Sequence, residues 1–282
     1  MGIQKVTGMM KQKIRHLTQC VCAVLYNCHI TGFIKGEIYQ GNNKGVCVPG
    51  LNCYSCPGAI GACPIGSVQN ALLSSKYRVP YYALGMILLF GILLGRLICG
   101  FLCPFGLLQE VLAWIPVKKI KKSRVTYYLS YLKYVILVVF CVLIPLLFQT
   151  PGFCKYICPA GTLEGGIPLV LLGDGLRNLI GKLFTMKMTF LVLILVGCIF
   201  LHRFFCRFLC PLGAFYSLFH KVAVVRMVVD ESKCNRCGRC VRECPMDIRQ
   251  VGDRECVYCM KCSEQCAQCA ISVNLLQGRN DL

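Results

Sequence analysis

The sequence predicts a mainly α-helical membrane protein, with a four-span helical domain of two pseudo-symmetric halves over residues 1–222 and a small α+β domain over residues 223–282. Three observations carry this reading. Mean hydropathy is +0.61 and hydrophobic residues make up 56% of the chain, a balance typical of multi-span membrane proteins and rare among soluble ones. Four apolar runs are long enough to cross a bilayer core of about 30 Å. Twenty-four cysteines stand among 282 residues, and most of them fall in repeated motifs.

The apolar runs cover residues 14–34, 81–98, 127–148 and 188–205. No small-residue cleavage site follows the first, so a retained helix is expected there. Lys5, Lys11, Lys13 and Arg15 precede or enter the first run, and Lys118, Lys119, Lys121, Lys122 and Arg124 follow the second. An even number of spans puts both clusters on the side of the C-terminal domain. The positive-inside rule makes that side cytoplasmic. The expected location is therefore the cytoplasmic membrane, multi-pass, with both termini inside and loops 35–80 and 149–187 outside.

The C-terminal domain carries the most specific signal. Cys234, Cys237, Cys240 and Cys244 are followed by Cys256, Cys259, Cys262 and Cys266, two runs of the form CxxCxxCxxxC. This is the spacing of bacterial two-cluster ferredoxins, in which three close thiolates hold one [4Fe–4S] cubane and the fourth reaches the other. It assigns Cys234, Cys237, Cys240 and Cys266 to one cluster and Cys256, Cys259, Cys262 and Cys244 to the second. Zinc also favours CxxC pairs, but two such runs of four fit it poorly. Pro245 follows Cys244, whereas Ala267 follows Cys266, and Cys269 is expected to be a spare buried thiol.

A repeat runs through the membrane domain. Cys-Pro-x-Gly occurs at Cys63–Gly66, Cys103–Gly106, Cys158–Gly161 and Cys210–Gly213. Cys99, Cys154 and Cys206 each lie four residues before a motif cysteine, while Cys53 and Cys56 precede Cys63. Residues 96–104 parallel residues 203–211, so two halves related by an axis along the membrane normal are expected. One CxxxC supplies two thiolates, half of what a cubane needs. Facing copies would gather Cys99, Cys103, Cys206 and Cys210 around an inner cluster. Cys154 and Cys158, with two or three of Cys53, Cys56 and Cys63, would hold an outer one. Disulfides are the alternative for the outer cysteines. The proline after each cysteine suits the first turn of a helix, whose positive end would face an anionic cluster. Arg96 and Arg203 flank the inner motif, where they would tune cluster charge or snorkel as span-end anchors. Cys20, Cys22, Cys28, Cys141 and Cys198 are read as packing residues.

The formal charge of +19 counts every cysteine as neutral. Part of it is expected to offset anionic clusters and part to face anionic membrane lipid. Nucleic acid is excluded as a partner by the lack of a soluble basic domain with interleaved aromatics. No nucleophilic triad, phosphate loop or paired carboxylates stand out, so redox is the only chemistry expected.

Together these motifs resemble the NapH/NosR-type membrane polyferredoxin family, from about residue 51 to the end of the chain. The resemblance implies electron movement between membrane or cytoplasmic donors and redox partners on the outer side. The NosR type carries an extra outer flavin-binding domain that this chain lacks, and no covalent-flavin motif is present, so any flavin is expected on another subunit. The outer cysteine set goes beyond the motifs that identify the family. The leading expectation is an electron relay, an electron-transfer subunit of an oxidoreductase complex. Its donor would be a cytoplasmic ferredoxin or flavoprotein and its acceptor an outer-face flavoprotein or other redox subunit. The alternatives are the membrane subunit of a quinol-oxidising complex, which would bind quinone, and an iron–sulfur assembly or metal-handling factor.

Overall fold

The computed structural model describes residues 2–74, 81–120, 122–172 and 180–275. Lys121 lies outside the described residues, as do the side chains of Lys5 and Lys11. Described residues form α1 (Gly2–Tyr26), α2 (Ile30–Lys35), α3 (Pro64–Ser74), α4 (Tyr81–Leu93), α5 (Leu97–Phe101) and α6 (Pro104–Ala113). They continue with α7 (Arg124–Phe148), α8 (Gly152–Tyr156), α9 (Gly161–Leu172), α10 (Lys182–Phe200), α11 (Phe204–Phe208) and α12 (Pro211–Leu218). The C-terminal part pairs β1 (Val225–Val229) with β2 (Ile271–Leu275), antiparallel with Val225 opposite Leu275. Between the strands lie α13 (Arg239–Arg242) and α14 (Lys261–Gln265).

Only α7 and α10 are both long and apolar enough to cross a membrane among the described residues. Their large side chains, Val135, Val138, Leu147, Val192 and Leu193 among them, are exposed, unlike those of a core helix in a soluble protein. The four-span expectation is thus met in part. α7 matches its predicted run to within a few residues. α10 starts and ends earlier than residues 188–205: Leu201 takes an extended conformation that stops the helix at Phe200, and Arg203, at a left-handed φ of 53°, leads into the next helix. α4 has 13 residues, and Gly95, with φ 52°, ends the second run before Arg96. The first run is split: α1 ends at Tyr26, and Asn27 then turns to hydrogen-bond Asn52 at 3.0 Å. Arg15 and Gln19 of α1 are buried against the rest of the protein.

The predicted repeat is visible as a structural one. In each half a long helix breaks, a five-residue helix carries the first cysteine, and a second break leads to a proline-initiated helix. Thus α4–α5–α6 is matched by α10–α11–α12. Proline at the first helical position costs no hydrogen bond, since that N–H has no partner in the helix anyway. α6 packs on α10 and α1, α12 packs on the 132–138 part of α7, and α1 reaches α14 of the C-terminal part. One continuous buried core runs from Cys63 and Cys158, through Cys99, Cys103, Cys206 and Cys210, to Cys244, Cys256 and Cys259.

Candidate metal centres

The inner motifs meet. Cys99, Cys103, Cys206 and Cys210 are all buried, and Cys206 lies within electrostatic range of the other three. Cys103 and Cys210 each cap the helix that follows, and Cys210 Sγ accepts the Gly213 N–H at 3.3 Å. Gly161 donates to Cys158 Sγ in the same way at 3.4 Å, and in the other two copies the motif glycine, Gly66 or Gly106, lies beside the sulfur of Cys63 or Cys103. So the motif is a device that fixes a sulfur over a helix N-terminus, where negative charge is favoured.

Glycine is required there by close approach. A Cβ on Gly106 would stand 2.8 Å from the Cys99 carbonyl oxygen and 3.6 Å from Arg203 Nη1. Gly106→Ala is therefore expected to force the two inner segments apart and lower iron content. Gly85→Ala, where a Cβ meets nothing within 4 Å, should leave iron unchanged; equal iron in both variants would contradict the packing argument.

Gln109, which the sequence did not single out, organises the inner set. Its Nε2 donates to Cys206 Sγ at 2.9 Å, while its Oε1 accepts from the backbone of Phe205 and Cys206 at 3.0 and 3.3 Å. Cys198, read as a packing residue, is buried against the same amide, with Sγ 3.6 Å from Oε1.

At the outer set, Cys53, Cys63, Cys154 and Cys158 line one cavity of about 140 Å³. A Cβ on Gly66 would lie 3.8 Å from Cys154 Sγ, and one on Gly161 would lie 3.8 Å from Cys53 Sγ, so the two outer segments face each other. Cys56 is buried beside them, and Lys44 Nζ contacts its carbonyl oxygen at 3.5 Å. Cys47 instead points to Ser67 Oγ at 3.5 Å. None of these cysteines is disulfide-bonded among the described residues. Cys141, read as packing, sits in a π-helical turn of α7 within electrostatic range of Cys63 and Cys158.

In the C-terminal part, Cys244, Cys256, Cys259 and Cys262 come together, and Cys240 lies within range of Cys262. Cys234, Cys240 and Cys266 are half-buried and Cys237 is exposed. The two runs share a backbone signature. Arg236 and Tyr258 (φ 55° and 53°) precede the second cysteine, and Gly238 and Met260 (φ 68° and 62°) follow it. Left-handed residues other than glycine cost about 1–2 kcal/mol each. They persist where the surrounding structure demands that local curl, which turns N–H groups toward the sulfurs and shapes a concavity suited to an anion. Cys269 differs from expectation: it is exposed, in a left-handed turn at φ 49° that leads into β2.

These donors suit a cubane. A cluster needs one thiolate at each of four separate irons, whereas zinc draws its ligands to one point. Among the described residues no three His, Cys, Asp or Glu side chains converge at single-ion distance. The four outer sulfurs stand around a cavity, and backbone N–H groups reach Cys158 and Cys210.

Two buried charge networks tie the sets together. Arg96 and Arg203 are 1% and 0% exposed, so neither snorkels. Glu110 accepts Arg15 Nη1 and Arg203 Nε, both at 3.0 Å, and Arg203 Nη1 also donates to the Cys99 carbonyl at 2.6 Å. Arg96 Nη1 donates to the Arg254 carbonyl at 2.7 Å and to Glu255 at 3.2 Å, and Lys133 meets both Glu255 oxygens at 2.6 Å. Burial alone would raise the Glu110 pKa, but Arg203 and Arg15 outweigh it and hold the carboxyl at about 2. A depressed carboxyl stabilises the fold above its unfolded pKa and loses that contribution as pH falls through the folded value. Between about pH 4.5 and pH 2, wild type should therefore lose thermal stability more steeply than Glu110→Gln; parallel melting curves would contradict this.

Sulfur-lined sites of this kind, with a paired-strand C-terminal part carrying two CxxCxxCxxxC runs, define an iron–sulfur protein of ferredoxin type. Comparison with known proteins agrees. The 4Fe-4S binding domain family matches residues 81–123, 133–167 and 183–227, each containing one Cys-Pro-x-Gly motif. A second 4Fe-4S binding domain family matches residues 227–250, the first C-terminal run. A protein of Methanocaldococcus jannaschii without an assigned function is 29% identical over 74% of this chain and 85% of its own length. The ferredoxin-type protein NapH of Escherichia coli is 26% identical over 61% of this chain and 60% of its own. The regulatory protein NosR of Pseudomonas aeruginosa is 30% identical over 58% of this chain but only 22% of its own. No solved structure matches the chain. The chain belongs to the NapH/NosR-type family of 4Fe–4S ferredoxin-type proteins and is an iron–sulfur electron-transfer protein.

Proposed function

We propose that this protein relays electrons through the membrane, between a cytoplasmic ferredoxin or flavoprotein and a redox partner at the outer face, using four [4Fe–4S] clusters. When bound, such clusters supply one-electron oxidation and reduction at potentials set by their surroundings. Cys234, Cys237, Cys240 and Cys266 would hold the first, and Cys244, Cys256, Cys259 and Cys262 the second. Cys99, Cys103, Cys206 and Cys210 would hold the third, and Cys53, Cys63, Cys154 and Cys158 the fourth. Cys56 is left beside the fourth set as a neighbour.

The observation that carries this reading is the single buried core joining three of the four sets. A bilayer core of about 30 Å is too wide for one fast electron hop, so the sulfurs must approach one another inside the protein. Three contacts make that approach. Gly50, next to the cavity-lining Leu51, packs on the inner motif, where a Cβ would stand 3.1 Å from Cys103 Cα. Buried Tyr216 donates to the Pro49 carbonyl at 3.1 Å and lies in electrostatic range of Cys63, Cys99, Cys103 and Cys210. The Val257 carbonyl packs so closely on Gly100 that a Cβ there would stand 2.2 Å away. The segment carrying Cys53 and Cys63 thus folds down onto the inner motif instead of standing off it. Lys122 supports the proposed sidedness: its Nζ donates to the Val241 carbonyl at 2.6 Å and keeps the basic loop beside the C-terminal domain, the face that the positive-inside rule favours as cytoplasmic.

Iron and acid-labile sulfide near sixteen per chain, roughly four per cubane, would support four clusters, and twelve would remove the outer one. In liposomes, a reductant confined to the face of the C-terminal domain should reduce an impermeant acceptor on the other face. Reduction no faster than in protein-free vesicles would end the relay proposal.

A further inference from the structure

We propose that a basic cavity at the seam between the membrane helices and the C-terminal domain binds a phosphate group, supplied by an anionic lipid headgroup or by a soluble phosphate. The cavity holds about 600 Å³ and is lined by Lys119, Lys122, Arg207, Arg242 and Lys261, with His202 beside them. No described residue lining it is acidic. Four carboxylates approach from outside the lining: Asp247 meets Arg207, Glu110 lies 3.9 Å from His202, and Glu243 and Glu255 are in electrostatic range of Lys122 and Arg207 respectively. Glu110 and Glu255 are already held by Arg15, Arg203, Arg96 and Lys133, so the five lining cations keep an excess of positive charge. Arg207 is 2% exposed, and its Nε has no hydrogen-bond partner. Arg207 thus sets a fixed cation in the wall of the cavity, beside the exposed charges of Lys119, Lys122 and Arg242.

The placement favours phosphate. Lys119 Nζ is anchored at 2.6 Å to the Ile199 carbonyl in the last turn of α10, at the level where a spanning helix meets the headgroups. Ala113, Ile120 and Leu201 give the cavity an apolar side. Basic pockets between membrane helices bind phosphorylated headgroups in this way. The planar guanidiniums of Arg207 and Arg242 suit paired phosphate oxygens. Cys244 also lines the cavity, so the competing explanation is that these cations only offset an anionic cluster held there.

The test uses the full-length, iron-loaded protein stripped of bound lipid. Phosphatidylglycerol, phosphatidylcholine and inorganic phosphate are offered separately, and bound ligand is read by native mass spectrometry and equilibrium dialysis. The variant Lys119→Gln with Arg242→Gln removes two exposed charges of the lining. The control Lys118→Gln with Lys221→Gln removes two exposed charges outside it. Phosphatidylglycerol, but not phosphatidylcholine, should bind wild type and the control, and the lining variant should bind about tenfold more weakly or worse. Inorganic phosphate that binds with the same variant dependence and displaces the lipid would make the soluble anion the ligand. Failure of both phosphate and phosphatidylglycerol to bind, or equal weakening in the lining variant and the control, overturns the proposal.

Discussion

Replacing Cys206 with serine should remove about four irons from each chain, one cubane's worth, and abolish electron passage across the membrane while leaving the two C-terminal clusters reducible. The argument rests on where this sulfur sits. It is buried, accepts Gln109 Nε2 at 2.9 Å and lies in electrostatic range of Cys99, Cys103 and Cys210. A serine hydroxyl is a far poorer ligand for iron than a thiolate, and three remaining thiolates leave one corner unheld. Cys198→Ser is the matched control. That thiol is equally buried and touches the same Gln109 amide, so a loss caused by disturbed packing would appear in both variants. Iron analysis with EPR of the reduced protein separates the cases. An unchanged iron count in Cys206→Ser would remove the inner cluster from the assignment. Cys154→Ser should take a different four irons, and the two losses should add if the inner and outer sets are independent sites.

Much of this arrangement is legible in the sequence because it is written as repetition. The spacing Cys99–Cys103 and Cys206–Cys210, with the shared Cys-Pro-x-Gly tail, predicts that two halves face one another, and the four sulfurs do meet. What the sequence hides is of two kinds. Helix ends depend on single backbone angles: hydropathy runs on through Gly95 and into Phe204 and Phe205, but a left-handed turn at Gly95 and an extended Leu201 stop the helices short of that apolar sequence. Side-chain partners depend on contacts between residues far apart in the chain. Gln109 and Cys206 are separated by 97 positions, and Lys133 and Glu255 by 122. No local pattern marks Gln109 apart from an ordinary polar residue. One signal was available: a lysine in the middle of an apolar run is expensive in a membrane and implies a buried partner. Lys133 meets that description and proves to be paired with Glu255.

Glu255→Gln should be the most destabilising single substitution outside the cysteines, by about 3–5 kcal/mol. Glu255 is 0% exposed, stands 2.6 Å from Lys133 Nζ and 3.2 Å from Arg96 Nη1, and has the Arg254 guanidinium 3.8 Å away. Burial would raise its pKa, but Arg96 and Lys133 reverse the effect and hold it below the usual carboxylate range. An amide in its place leaves two buried cations facing no anion, and the cost is that of the stranded charges more than of lost hydrogen bonds. Removing Lys133 as well, as Lys133→Met with Glu255→Gln, should recover part of the loss, because the two sites are coupled through one contact. Glu231→Gln breaks an exposed pair with Arg236 and should have no measurable effect. Chemical denaturation monitored by cluster absorbance orders the four proteins; a Glu255→Gln variant as stable as Glu231→Gln would show that the pair is not a structural tie. The consequence for function follows from which elements the tie joins. Arg96 begins the helix that carries Cys99, Lys133 lies in α7, and Glu255 directly precedes Cys256. Loosening it should release the C-terminal domain from the inner motif before either unfolds, making the segment around Val257 sensitive to protease while both C-terminal clusters remain bound.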